Sequence, residues 1–317
     1  MLFYLLRRIL YAVPIALAVS VVCFLLVHIS PGDPINALIS PDAPAEVVAE
    51  VRKQYGLDQP LPTQYFMWLS QIVVGNFGNS LASGQPVLGE IMTAMGNTFM
   101  LSVIAALIGL VMGLLLGTVS ALYKGTWIDK LGSTVAASGV SLPHYWLGMV
   151  LVVIFSVTLN WLPALGAGSS GSEAWAWDWD HVQYLVLPAL TLSVIPMGII
   201  TRAVRGAIIE IMHQDFVTTL RGKGLTPARI GLHVVKNAAP SLLAIIGLQL
   251  GYLMGGSILV ETVFSWPGTE LLLNGAIFQR DIPVLQGTIL VLSLVFVLIN
   301  LLVDLMQTTL DPRIKRS

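Results

Sequence analysis

Asp215-Phe-Val-Thr-Thr-Leu-Arg-Gly-Lys-Gly-Leu-Thr-Pro-Ala-Arg229 is a polar, basic segment lying between Arg202 and Lys236, with strongly apolar chain on both sides. Everything around it reads as membrane helix. A solvated, helix-forming, positively charged hairpin between two spans faces water and is built to contact something there. That points away from a catalytic pocket and toward a pore subunit worked by a separate motor.

The bulk composition agrees. The 317 residues are 56% hydrophobic and 10% charged, and the mean hydropathy is +0.82. A soluble domain carries about a quarter charged residues. The chain is therefore expected to be an all-α, polytopic membrane protein, with residues 1–317 forming one transmembrane domain. The single cysteine, Cys23, lies in an apolar run, which leaves no intrachain disulfide and points to a buried filler thiol.

A span needs about 20 mostly apolar residues to cross the hydrocarbon. Six stretches qualify, near Ile9–Ile29, Thr98–Leu122, Leu131–Leu159, Tyr184–Val204, Ala239–Val260 and Leu285–Leu305. Each is expected to be helical, because lipid offers backbone groups no partners. The first has too long an apolar core for a signal peptide and no small-x-small cleavage site after it, so it is read as a retained span. Charge then sets the orientation. With both termini inside, Arg7, Arg8, Lys124, Lys130, Arg202, Arg205, Arg221, Lys223, Arg229, Lys236, Arg313, Lys315 and Arg316 are cytoplasmic. That is 13 of the 16 basic residues, leaving only Arg52, Lys53 and Arg280 outside.

Most of the extramembrane mass falls on the outer side, in residues 30–96. Pro31-Gly-Asp-Pro34 reads as a turn and Pro44 to Tyr55 as a short helix. Pro62 to Val73 reads as an amphipathic helix with Tyr65, Phe66, Leu69, Ile72 and Val73 on one face and Trp68 beside them, suited to lie against membrane lipid. Gly75 to Gly84 reads as a loop. Trp175, Trp177 and Trp179, in the outer loop from Trp161 to His181, read first as headgroup-level aromatics and second as a ligand-stacking site.

Several short motifs occur in order along the chain. They are Arg7-Arg8 with Pro14, Pro31-Gly-Asp-Pro34, Tyr55-Gly-Leu-Asp-Gln-Pro-Leu61 and Gly75-Asn-Phe-Gly-Asn-Ser80. Ser141-Leu-Pro-His-Tyr-Trp-Leu-Gly148, Leu187-Pro-Ala-Leu-Thr-Leu-Ser193, Phe264-Ser-Trp-Pro-Gly268 and Arg280-Asp-Ile-Pro-Val-Leu-Gln-Gly287 follow. In this order and spacing they resemble the permease subunits of the dipeptide/oligopeptide/nickel class of bacterial ABC importers, of the first-permease type. The resemblance implies a type I importer permease fold in the bacterial inner membrane. It also implies a second homologous permease, two ATP-binding subunits that carry the ATP and Mg, and a periplasmic solute-binding protein. No cofactor on this chain and no nucleic-acid partner are expected. The implied substrate is a di- or oligopeptide, with nickel complexes, glutathione and haem as alternatives, and the implied mechanism is alternating access.

The family's cytoplasmic hallmark is Glu-Ala-Ala, three residues, then Gly. Here Thr218-Thr219-Leu220 stand in place of the first three and Gly224 matches the glycine, with Asp215 the nearest acid upstream. The residues carry their own physics. Glu210 to Gly222 can continue as helix, and Gly222 and Gly224 permit a sharp turn. Thr226 suits an N-cap and Pro227 a first helical position of a second short helix. Residues 206–236 are thus expected to be the ATPase-coupling region. Asp215, Thr218, Thr219, Leu220, Arg221, Lys223, Gly224, Leu225, Thr226, Pro227 and Arg229 are its candidate contacts. The plain alternative is a solvated loop obeying the positive-inside rule.

The chain has no nucleotide-binding loop. Its only Gly-Lys pair, Gly222-Lys223, has Val217 where the first glycine belongs and Gly224 where the hydroxyl belongs. The five histidines show no metal-ligand spacing, so neither catalytic nor metal residues are expected. Gly109, Gly113 and Gly117, and Gly247, Gly251 and Gly255, form stripes for close helix packing. An ion-coupled secondary transporter is the rival class, disfavoured by the lack of an internal repeat. Gln249, Tyr252, Met254 and Ser257 are the candidate pathway residues. Trp266, Pro267, Gly268, Gln279, Arg280 and Asp281, with residues 44–84, are the candidate docking surface for the binding protein.

Overall fold

The computed structural model describes residues 2–29, 58–168, 178–255 and 258–310, together with residues 44, 46, 49, 50 and 53. The Pro31–Pro34 turn, the proposed helix from Pro44 to Tyr55, Trp175, Trp177, Ser257 and the basic residues after position 310 lie outside, or almost wholly outside, the described residues.

The described chain is helical, with no strand and a single isolated bridge between Asn79 and Pro86. In order come α1 (Leu2–Ile29), α2 (Leu61–Val73), α3 (Val87–Leu122), α4 (Trp127–Ser141) and α5 (His144–Leu151), the last running on as a π-helix over Val152–Thr158. Then follow α6 (Trp179–Met212), α7 (Asp215–Gly222), α8 (Pro227–Gly255), α9 (Ile258–Phe264), α10 (Thr269–Gln279) and α11 (Ile282–Leu310). Among the described residues, α3, α6, α8 and α11 are each long and apolar enough to cross a membrane, and α4 with α5 and the π-helix make a fifth, broken span. α1 carries a shorter apolar stretch, Val13–Leu25.

The third expected span is not one straight helix. α4 and α5 meet at a 102° bend. Leu142 is extended, at φ −79 and ψ 134, because Pro143 disfavours helical geometry in the residue before it. The chain then restarts as helix with Pro143 as its cap.

The chain divides into two compact units. One comprises Thr98–Trp266 and the chain from Leu298 onward. Its core joins Leu101 and Ala105 of α3, Leu185, Leu187, Ala189 and Leu192 of α6, Leu253 of α8, and Val260, Phe264 and Trp266. Three glycines let α3 and α6 approach backbone to backbone. A Cβ would lie 3.0 Å from Ser193 O at Gly109, 2.8 Å from Ile200 Cβ at Gly113, and 2.7 Å from Thr201 O at Gly117. Gly198 does the same between α6 and α4, where a Cβ would sit 2.5 Å from Ala136 O. Asp178 caps α6, accepting from the His181 N–H at 2.9 Å. Its pairing with the His181 ring holds the carboxyl below the ordinary range.

The second unit comprises Leu2–Asn97 and Pro267–Val297. Val87, Ile91, Ala276, Val284 and Val291 form its core. Cys23 is fully buried, as expected, and its carbonyl accepts from Gln286 Nε2 at 3.1 Å. α2 turns Tyr65 and Trp68 toward Phe24 of α1, and Tyr65 bonds Ser20 at 2.8 Å. Phe66 and Val73, expected to share a lipid-facing surface with Tyr65, Leu69 and Ile72, are exposed, whereas those three are half-buried. Tyr65 and Trp68 fall on one stripe of α2 with the half-buried Leu69 and Ile72, at i, i+3, i+4 and i+7.

Candidate functional sites

The basic segment forms a compact bracket. α6 stops at Met212, two residues intervene, and α7 begins at Asp215, so the expected continuous helix from Glu210 to Gly222 is interrupted at His213 and Gln214. α7 ends in a Schellman motif. Gly224 N–H donates to Arg221 O at 2.9 Å and Leu225 N–H to Leu220 O at 3.2 Å. This geometry requires a left-handed residue, and Gly224 supplies it at φ +76. Gly222, by contrast, is an ordinary helical residue. The Thr226 carbonyl accepts from Ile230 N–H at 3.0 Å, and Pro227 opens α8. The expected second short helix is therefore the start of one 29-residue helix. Nothing between Arg229 and Ala239 breaks it, and Pro240 is accommodated within it.

An apolar seam holds the bracket. Val217 is fully buried among Ile211 of α6 and Ile230, Val234 and Ala238 of α8, with Phe216, Leu220 and Leu225 packed around it. The remaining side chains face outward: Asp215, Thr218, Thr219, Arg221, Lys223, Thr226, Pro227 and Arg229 are all exposed. The result is a short helix fixed to the ends of two spanning helices, with Arg221, Lys223 and Arg229 making the bracket as a whole cationic.

A neighbouring feature escaped sequence reading. Asp129, in the first turn of α4, accepts from Arg205 Nε at 2.6 Å and Nη2 at 2.8 Å, and from Gly125 N–H at 2.9 Å. This bidentate pair ties the start of α4 to α6 about two turns before α7. Its only sequence signal was a lone acid between Lys124 and Lys130.

The candidate docking residues divide. Gln279 and Arg280 are exposed, Arg280 closing α10 in a left-handed conformation at φ +56. Trp266 and Asp281 are corrected: they are buried, with exposures of 0% and 2%. Trp266 belongs to the core of the first unit, in one cluster with Leu253, Val260 and Phe264. Asp281 caps α11 through Val284 N–H at 3.3 Å and clamps the 75–86 loop through Ser80 Oγ at 2.5 Å and Ala82 N–H at 3.1 Å. Gly268 is also buried, and Pro267 is partly so. Of the candidate pathway residues, Gln249 lines an apolar cavity of about 160 Å³ with Val103, Leu107, Pro196, Ile200 and Ile246. Tyr252 is exposed on the same helix, while the Met254 side chain and Ser257 lie outside the described residues.

The described residues form a helical membrane protein with a helical bracket between two long apolar helices, an arrangement that suits a transporter permease. Residues 109–316 match the family described as the binding-protein-dependent transport system inner membrane component, and residues 1–106 match its N-terminal family. The chain belongs to this family, the inner-membrane permease components of ABC importers. It is 39% identical over 316 residues, 99% of both chains, to the glutathione transport system permease protein GsiC of Salmonella typhimurium strain LT2. It shows the same identity and coverage with GsiC of Escherichia coli strain K12. Among solved structures it resembles an inward-facing conformation of the MetNI methionine ABC transporter, at a TM-score of 0.58 and 18% identity, over 71% of this chain and 98% of that one. That likeness concerns the fold.

Proposed function

We propose that this chain is one half of a two-permease pore that imports short peptides by alternating access. In this reading six spans cross the inner membrane with both termini inside, and a homologous second permease supplies the other half. Two ATP-binding subunits hold ATP and Mg, and a periplasmic binding protein delivers solute. The α6–α7–α8 bracket docks on an ATPase, so that closure of the ATPase pair moves two spanning helices at once. The observation that carries this reading is the bracket itself. Val217 locks α7 to both helices, while Arg221, Lys223 and Arg229 present positive charge to water. A cationic, rigidly mounted surface suits acidic groups on a motor protein.

The relatives named for glutathione transport support a substrate of tripeptide size. Gln279 and Arg280 are the docking residues retained from the sequence reading. The test is to reconstitute the complete complex in proteoliposomes and measure ATP-dependent uptake of trialanine and glutathione with the binding protein present. Uptake of either, abolished without ATP, is the expected result. Uptake driven equally well by an ion gradient without ATP would overturn the reading in favour of a secondary transporter.

A further inference from the structure

The spanning segment that begins with α4 ends in an unusual way. Val152–Thr158 is a π-helix, in which Leu159 N–H reaches back five residues to Ile154 O at 3.0 Å. Such turns are rare and concentrate at functional sites. The segment closes with Asn160 at φ +51, a left-handed conformation in a non-glycine residue. Trp161 and Leu162 N–H groups both return to Phe155 O, at 2.9 and 3.3 Å, and the Trp161 ring lies 5.9 Å from that of Phe155. Backbone geometry of this kind is held only by surrounding structure, and here it shapes a cavity.

The cavity is a recess widely open to solvent, with a volume of about 380 Å³. Ser156, Asn160 and Gln183 give it a hydroxyl and two amides, with Gln183 Nε2 donating to Asp180 at 3.3 and 3.4 Å and its Oε1 left to accept, and Trp161 and Tyr184 give it aromatic surface. Among the described residues, none that lines it is charged. The Ser156 hydroxyl is buried and has no hydrogen-bond partner. Ser20, Ser102 and Ser193 elsewhere in the chain each donate to a backbone carbonyl. A buried hydroxyl left open in this way is destabilising unless something fills the site. The positive-inside count places the mouth of this cavity outside.

We propose that this cavity is an outer subsite of the permease for short peptides, held through their uncharged backbone amides. The lining chemistry selects the class. Hydroxyl and carboxamide groups match peptide N–H and C=O, the aromatic rings cover apolar side chains, and charged termini stay in water at the mouth. The peptide identity of the ligand rests on the import reading above, but the existence of the site does not.

The test uses thiol protection in the complete permease–ATPase complex. Cys23 is the only cysteine of this chain and is buried. A Val157→Cys change therefore places a single reactive thiol on the exposed lining. Its modification by an impermeant maleimide, read by the mass of this chain, should slow about fivefold in saturating trialanine or S-methylglutathione, but not in alanine. Adding Ser156→Ala or Gln183→Leu should each shift the half-protecting concentration upward about fivefold, the factor one neutral hydrogen bond is worth. No protection by either peptide, or protection unchanged in both variants, overturns the site. So does a thiol unreactive throughout, which would mean that a partner subunit fills the cavity. Protection without ATP-dependent uptake of either peptide would leave the site standing and refute the import reading instead.

Discussion

Asp281 and Arg280 are sequence neighbours with opposite roles, and the difference is visible only in the folded chain. Asp281 satisfies one hydroxyl and two backbone N–H groups from inside the protein, while Arg280 faces water. An Asp281→Ala change leaves the Ala82 and Val284 N–H groups without that acceptor and should cost about 2–3 kcal/mol. It should also free the loop over residues 75–86, so that limited proteolysis nicks this loop faster than in the unaltered complex. An equal nicking rate would show that the clamp is dispensable. Arg280→Glu should change stability by no more than about 0.5 kcal/mol, as exposed substitutions do. On the docking reading, it lowers stimulation of ATP hydrolysis by loaded binding protein and leaves basal hydrolysis unchanged. The sequence pointed to this pair together because both are charged and lie in a predicted outer turn. Nothing local shows that a serine 201 residues away claims one of them.

At the scale of elements, periodicity and composition located the long apolar helices well, and their errors have physical causes. The 102° bend was signalled by Pro143, yet the stretch from Leu131 to Leu159, free of Asp, Glu, Lys and Arg, masked it, since hydropathy does not register direction. The bracket was legible through Gly224 and Pro227, whose backbone demands are local. Its helix ends were less so, because the stop at Met212 and the long run of α8 depend on the apolar seam around Val217. The glycine stripe of α3 was legible as a packing surface, and α6 is the helix it meets. Gly113 has Ile200 where its Cβ would go, at 2.8 Å. A Gly113→Leu change should therefore drive α3 and α6 apart, with overpacking costs of about 1–3 kcal/mol or more. Gly89→Leu on the same helix, where a Cβ meets nothing, should be tolerated. Thermal stability of the detergent-solubilised complex distinguishes them, and equal melting temperatures would contradict the packing role.

For the whole molecule, the family, fold and inner-membrane location were readable from ordered motifs distributed along the chain. The substrate was not, because recognition is shared with subunits whose residues are absent from this sequence. On the import reading, α7 transmits motion between an ATPase and two spanning helices. Gly224 tests it most directly. A Cβ there meets no atom within 4 Å, so the change acts through the backbone alone, forbidding the left-handed turn that closes α7. A β-branched residue at φ +76 should cost at least about 1–2 kcal/mol and loosen the bracket without touching the membrane core. The measurement is peptide uptake by cells carrying Gly224→Val, together with co-purification of the ATPases. The account predicts an inserted permease, ATPases lost or hydrolysing without transport, and uptake abolished. Normal uptake with ATPases bound at wild-type stoichiometry would contradict it and leave residues 215–229 as a solvated loop obeying the positive-inside rule.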